Sequence, residues 1–293
     1  MKSKHIPVLS KEVTAIIQPK KGGVYVDATL GGGGHLKMLI DNLEGKSRKV
    51  TKFIALDQDE EAIERFVDPD KENIEIQLFN ENFEDLKKVL EKAKIKKIDG
   101  ILADLGTSQD QIEGKARGFS FQRDEPLDMR MDKDAKVTAA DLVNGLNAQE
   151  LINLFTRLSD LGDVARKLAK GIIKEREKQP ILTTKQLVNV IHQAVHRAQL
   201  EARVFQALRI AVNHELDSLR HFLPQAFETL DAKGKFVVIS FHSGEDRLVK
   251  KYFKELVREK KAKYLAELIS PSSEEIIKNS RSSSAKLRSI EKL

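Results

Sequence analysis

The sequence predicts an α/β fold, a Rossmann-like sheet interrupted by an all-helical insert, and three observations carry that prediction. Strand-like and helix-like segments alternate over the first hundred residues, the pattern of parallel strands joined by crossover helices. From Thr138 to about His196 every apolar stretch has helical spacing and none reads as a strand,. A strand pattern then returns at Lys235–Phe241. A helical block between two strands of one sheet is an insertion, and insertions at that edge overhang the carboxyl ends of the strands, where ligands bind.

The first strand, Val24–Asp27, runs through Ala28, Thr29 and Leu30 into four consecutive glycines, Gly31 to Gly34, and then His35. Glycine lacks a Cβ and tolerates positive φ, so such a loop brings backbone close to a ligand. Helical spacing from Leu36 to about Leu43 puts the loop at a strand-to-helix junction, the nucleotide position of open α/β sheets. Lys52–Asp57 reads as the second strand, ending in a carboxylate able to accept hydrogen bonds from ribose hydroxyls,. Ile74–Phe79 reads as the third strand, Glu84–Lys92 as a helix and Lys97–Leu105 as the fourth strand. Charged, loop-like stretches at Arg117–Asp124 and Pro126–Asp132 lead into the helical block, where Leu142, Leu146, Leu151, Leu154, Phe155 and Leu158 form the first apolar stripe. One long amphipathic helix from about Ala202 to Leu223 precedes the returning strand. The expected organisation is a discontinuous sheet domain, 1–107 and 203–293, around an insert at 108–202 placed to cover a substrate. The serine-rich patch Ser280–Arg288, read alone, is a frayed tail,.

The glycine loop separates two cofactor classes. A dinucleotide fingerprint G-x-G-x-x-G fails, because the third position is Leu36 counted from Gly31 or Lys37 counted from Gly32,. S-adenosylmethionine remains the candidate, since it has no phosphate to cradle and needs room beside the loop plus the Asp57 carboxylate.

Composition narrows the class further. The chain has no cysteine, which excludes disulfides, thiolate zinc sites and a cysteine nucleophile and fits a reducing interior,. The charged start Met1–Pro7 is not followed by an apolar core, and no stretch approaches the roughly 18 apolar residues of a membrane span, so a cytoplasmic protein is expected,. Residues 245–293 hold 13 basic and 8 acidic side chains and so supply +5 of the net +6. That imbalance reads either as a polyanion-binding segment or as a lysine-rich solvated helix. No metal site is expected: His192 and His196 lie four apart without the glutamate of H-E-x-x-H and read as a helix face,.

Eight segments then enter together: His5–Leu9 with Glu12 and Val13, Asp27–His35, Asp99–Gly106, Arg117–Phe121, Pro126–Asp132, Phe205–Asn213, Ile239–Ser243 and Ser284–Arg288. In this order, over almost the whole chain, the sequence resembles the MraW-type (RsmH) methyltransferases. The resemblance implies methyl transfer from S-adenosyl-L-methionine to the N4 amine of a cytosine, with small-subunit ribosomal RNA or a ribosomal particle as partner and no membrane. It leaves the oligomeric state open, a homodimer included. By motif it assigns the cofactor to Gly33, Gly34, His35, Asp57, Phe83, Asp104 and Gln111.

Asp104 and Ser108 follow one strand and Ser240, His242 and Ser243 follow the returning strand, so Asp104, Ser108 and His242 are the candidate catalytic residues, without the D-P-P-Y turn of DNA amine methyltransferases. Arg117, Arg123, Arg130 and Arg209 are candidate RNA contacts together with the basic tail. Phe119 and Phe121 read as base stackers or as buried aromatics of the insert. The chain departs from the family at Thr107–Gln111, where V-S-S-P-Q is usual, at Leu161–Asp163 in the insert, at Ala202 in place of a threonine, and at Gly244 in place of a leucine.

Overall fold

The computed structural model describes residues 7–69, 71–108, 111, 112, 114, 116–195 and 200–293. His5 and Ile6 of the first motif, the departures Gln109 and Asp110, and His196 lie outside them. The chain divides into two compact units, one of Met1–Ser108 with Leu216–Leu293 and one of Gln109–Glu215.

The first unit opens with α1 (Ser10–Ile17), β1 (Val24–Asp27), α2 (Gly34–Asp41), β2 (Thr51–Asp57), α3 (Glu60–Arg65), β3 (Ile74–Asn80), α4 (Leu86–Lys92) and β4 (Ile98–Asp104). The helix expected at Glu84 starts instead with a 3-10 turn, Phe83–Asp85, because Asn82 caps it by accepting the Glu84 N–H. In the second unit come α5 (Ala139–Gly145), α6 (Ala148–Ser159), α7 (Ala165–Arg176), α8 (Thr184–Ala194) and α9 (Leu200–Val212). Thr138, Asn147 and Thr183 cap α5, α6 and α8 through reciprocal side-chain pairs with Asp141, Glu150 and Gln186,. The remaining elements are α10 (Glu215–Thr229), β5 (Leu230–Ser240), α11 (Ser243–Arg258), β6 (Ala262–Ile269), α12 (Ser273–Lys278) and β7 (Lys286–Lys292).

The first unit holds a seven-stranded sheet in the order β3-β2-β1-β4-β5-β7-β6. Its first five members are parallel, and β7 lies antiparallel between β5 and β6. Phe53–Leu56, Ile101–Ala103 and Phe236–Ile239 are runs of wholly buried apolar residues, as strands covered on both faces require. Two cores result, one with Leu86, Phe222, Phe236 and Phe253, the other with Leu36, Leu39, Phe53 and Leu287. This is the Rossmann-like α/β fold. In the second unit the core includes Val143, Phe155, Leu168, Ile172, Leu187, Val204 and Leu208.

Two expectations fail here. The long helix from Ala202 to Leu223 is two helices, α9 and α10, parted at Asn213 and His214. Asn213 closes α9 with a last helical bond from its N–H to the Arg209 carbonyl (3.1 Å), while its buried side-chain amide accepts from the Met131 N–H (2.7 Å) and donates to the Met129 carbonyl (2.8 Å) and Arg209 carbonyl (2.9 Å). His214 then adopts φ +50°, a left-handed stop. With α9 contributing Leu200, Val204, Phe205 and Leu208 to the helical core, that unit runs on to Glu215, past the 202 of the sequence expectation.

The serine-rich patch is no frayed tail either. Ser280–Ser284 form a 3-10 turn with Ser282 buried, and the following β7 is interior, with Leu287, Arg288, Ser289 and Ile290 all buried. The segment pairs with β5 on one side and with β6 on the other. Its charge hid it, because Arg288 finds its carboxylate on Asp246, far away in sequence.

Candidate active site

β1 and β2 are adjacent and parallel, so their carboxyl ends meet, and the glycine loop leaves β1 at that edge. Gly31 (φ +50°) and Gly33 (φ +71°) both take left-handed backbone. A Cβ on Gly33 would also stand 2.6 Å from the Phe66 ring, so no other residue fits there,. The Gly31 N–H donates to Asp57 Oδ2 at 2.8 Å, and the Asp59 N–H donates to Asp57 Oδ1 at 2.9 Å. Asp57 therefore holds the loop in place as well as ending β2. Burial pushes its pKa up to about 6, against the pull of those two N–H groups. A Cβ on Gly31 would lie 3.6 Å from Ser108 Cβ, which puts Ser108 beside the loop.

β4 joins the same edge. The Asp104 N–H donates to Thr29 Oγ1 at 2.7 Å, tying the end of β4 to the turn after β1. His35, in the first turn of α2, is buried with its Nε2 3.4 Å from Asp104 Oδ2. Asp27 is only 1% exposed and accepts the Thr29 N–H on Oδ1 at 3.2 Å.

This cluster is short of partners. Asp27 Oδ2, both ring nitrogens of His35 and Asp104 Oδ1 are buried without a hydrogen bond, four of the seven such side-chain atoms among the described residues. Each such group forfeits about 1–3 kcal/mol, a cost that proteins concentrate where a ligand supplies the missing partner. Burial pushes Asp27 up to about 7, with His35 and the Thr29 N–H opposing. For His35 burial disfavours the charge, but Asp104 and Asp27 outweigh it and raise the imidazole above its usual range. Asp27 was not among the expected site residues. A carboxylate closing the apolar run Val24-Tyr25-Val26 was the signal for it.

The other expected residues divide. Phe83 is half-buried and meets Phe222 edge-on, centroids 5.1 Å apart. Gln111 is buried in the second unit. Ser240 is buried with its Oγ 3.4 Å from the Lys286 carbonyl. His242 caps α11: its Nδ1 accepts the Gly244 N–H at 3.1 Å, while Glu245 accepts the Phe241 and His242 N–H groups. Gly244 sits where a Cβ would come within 3.0 Å of that imidazole, so the departure from leucine accompanies a tight cap.

All four candidate RNA-binding arginines have internal partners. Arg117 donates to the carbonyls of Arg130 and Met131, and Arg123 to Glu125 and the carbonyls of Ile112 and Gly114. Arg130 forks onto Asp128 and also holds the carbonyls of Lys133 and Ala135, and Arg209 forks onto Glu215. They brace loops and a helix junction. Phe119 packs on the helical core and Phe121 meets Phe205 edge-on at 5.7 Å.

The profile of the MraW methylase family matches residues 2–293. The chain belongs to that family. It is 42% identical to the ribosomal RNA small subunit methyltransferase H of Caldicellulosiruptor saccharolyticus over 99% of each chain. It is 40% identical to the protein of that name from Coprothermobacter proteolyticus, over 98% of this chain and 96% of the relative. A third, from Wolbachia, is 38% identical over 99% of each. This MraW-family chain thus matches full-length relatives from end to end, helical unit included.

Proposed function

We propose that this protein transfers a methyl group from S-adenosyl-L-methionine to the N4 amine of a cytosine in small-subunit ribosomal RNA, in the cytoplasm. The observation that carries the reading is the partner-poor Asp27–His35–Asp104 cluster beside a glycine loop that Asp57 holds open. The relatives' shared name supplies the substrate class. The cluster fits the cofactor: a sulfonium and an ammonium are cations for the carboxylates, and the methionine carboxylate is an acceptor for His35 and the loop N–H groups. Each oxygen of Asp57 keeps a lone pair beyond its backbone bond, enough for the ribose hydroxyls. Phe83 is assigned to the adenine face, and Gln111 completes the set by motif.

When bound, S-adenosylmethionine supplies an electrophilic methyl group on a cationic sulfur. The chain's own residues handle the weak nucleophile, an amine whose lone pair is delocalised into the cytosine ring. Asp104 Oδ1, uncommitted within the protein, accepts an amine hydrogen and draws that lone pair onto nitrogen as it becomes tetrahedral. His35 lies 3.4 Å from Oδ2 of the same carboxylate and attracts it by charge, and Ser108 lines the approach along the glycine loop. The base has to be extruded from its stack to reach this edge. Positioning then supplies much of the rate.

The test is incubation of small ribosomal subunits with the protein and isotopically labelled cofactor, followed by mass spectrometry of the nucleosides. Labelled N4-methylcytidine is expected, with Asp104→Ala slower by roughly 100-fold or more and its unfolding midpoint little changed. Label on protein or on a small molecule would overturn the substrate. RNA bound without any label transferred would make the protein a binding factor.

A further inference from the structure

Arg117, Arg123, Arg130 and Arg209 hold the chain's own carbonyls and carboxylates, whereas one helix of the second unit carries a row of cations without such partners among the described residues. The helical unit holds a groove of about 250 Å³ lined by Lys167, Lys170, Lys174 and Lys178 along α7 and just past its end, with Val190, Gln193 and Ala194 of α8 opposite. At 100° per residue, the spacings of three, four and four place these four lysines on one face, and 1.5 Å per residue spreads them over roughly 16 Å. Gly171 forms the floor, because a Cβ there would stand 2.7 Å from Ala194 Cβ and force the two helices apart.

Helix energetics argue against an ordinary solvated face. The first turn of α7 carries Arg166 and Lys167 and no acidic residue, although the positive end of the helix dipole favours the opposite charge. Arg166–Lys170, Lys167–Lys170, Lys170–Lys174 and Lys174–Lys178 are like-charge neighbours at three or four residues, a repulsive spacing. Lys178 pairs with Glu175, the one acid lining the groove, at 2.8 Å. No carboxylate pairs with Arg166, Lys167, Lys170 or Lys174 among the described residues. The helix tolerates this repulsion along a groove walled by two helices.

We infer that the Lys167–Lys170–Lys174 row binds the phosphodiester backbone of the ribosomal RNA substrate and is the main electrostatic footprint of the helical unit. The inference rests on the proposed substrate. Phosphates supply the missing counter-charges, and a row of lysines tracks a backbone without reading sequence.

The test uses the full-length protein with Lys167, Lys170 and Lys174 all changed to alanine, and a second variant with all three changed to arginine. For the alanine variant, small-subunit RNA binding should weaken roughly tenfold or more at moderate salt. The slope of log affinity against log salt should fall by about 2–3, close to one per lost phosphate contact. KM for small subunits should rise far more than kcat falls, and binding of the cofactor should stay as in wild type. The arginine variant should restore affinity and slope. Removing like-charge repulsion should also raise the unfolding midpoint of the alanine variant, the reverse of what a structural role requires. An alanine variant with wild-type affinity and salt slope overturns the inference. A wild type that transfers no methyl group while its RNA binding still depends on the lysines overturns the proposed reaction and leaves the groove standing.

Discussion

Two regions of the sheet unit bury charge in opposite ways. On the β5–β7–β6 side, Arg288 is 5% exposed and places its Nε 2.7 Å from Asp246 Oδ1, while Lys286 reaches the same carboxylate at 3.3 Å. Burial opposes the charge on Asp246, yet Arg288 and Lys286 hold its pKa below the usual carboxylate range. On the β1–β4 side, Asp27 and Asp104 face His35 with lone pairs left over, and Asp27 is pushed up to about 7. A carboxylate satisfied within the chain serves the fold. One left short of partners is poised for something the chain does not contain.

Breaking the satisfied side should have the largest effect on stability. Arg288→Ala leaves Asp246 with only the longer contact to the half-exposed Lys286, and loss of one member of a buried pair costs up to about 3–5 kcal/mol. Urea unfolding should show that loss. A change under 1 kcal/mol would mean that water reaches Asp246 and that the contrast between the two regions is false.

The open side should respond to pH instead. With its folded pKa raised from 3.8 to about 7, Asp27 keeps a proton in the native state that the unfolded chain has already released. Its contribution to stability is therefore full below about pH 4 and is lost as pH rises to about 7. Asp57, raised to about 6, bends the same curve in the same direction. Asp27→Asn should flatten the fall in stability from pH 5 to 8. If the carboxylate meets a cationic cofactor, wild-type affinity should weaken roughly tenfold from pH 7 to 6 as Asp27 and Asp57 take up protons. The Asn variant should bind more weakly and with less pH dependence. Titration calorimetry at three pH values checks this, and a pH-independent wild type would remove Asp27 from the cofactor's surroundings.

The smallest effect sharpens the contrast at His242, whose imidazole caps α11. His242→Ala should cost about 1 kcal/mol, whereas His242→Asn, itself a good cap, should cost only a few tenths. Methyl transfer by the Asn variant then decides the role. Near-wild-type turnover makes His242 a cap alone, and a large loss at intact stability makes it part of the chemistry.

What the sequence made legible follows the same division. The first four strands, the returning strand and the glycine loop announce themselves through apolar runs and four glycines in a row. Lys286-Leu287-Arg288-Ser289-Ile290-Glu291-Lys292 does not, because an interior strand with an arginine reads as surface until Asp246 is known to wait beside it. The break at Asn213 was equally hidden, since two of the backbone groups that its side chain meets lie in a loop more than eighty residues earlier. Asp104 and His35 were legible through motif. The internal engagement of the four arginines was not, because composition counts charges but not their partners. The lysine row of α7 lay in plain sight at helical spacing, and only the adjoining wall of α8 makes it a groove.

The interior place of β7 also orders events in time. β6 leaves the ribosome before β7, yet its hydrogen-bonding neighbour in the sheet is β7. Until residues 286–292 emerge, the nascent chain carries a strand with nothing beside it and a sheet whose β5 flank is bare. Such a flank is a template for wrong pairing. Lys263 and Glu267, the two charged residues of β6, therefore guard that strand against wrong pairing while the chain is still being made.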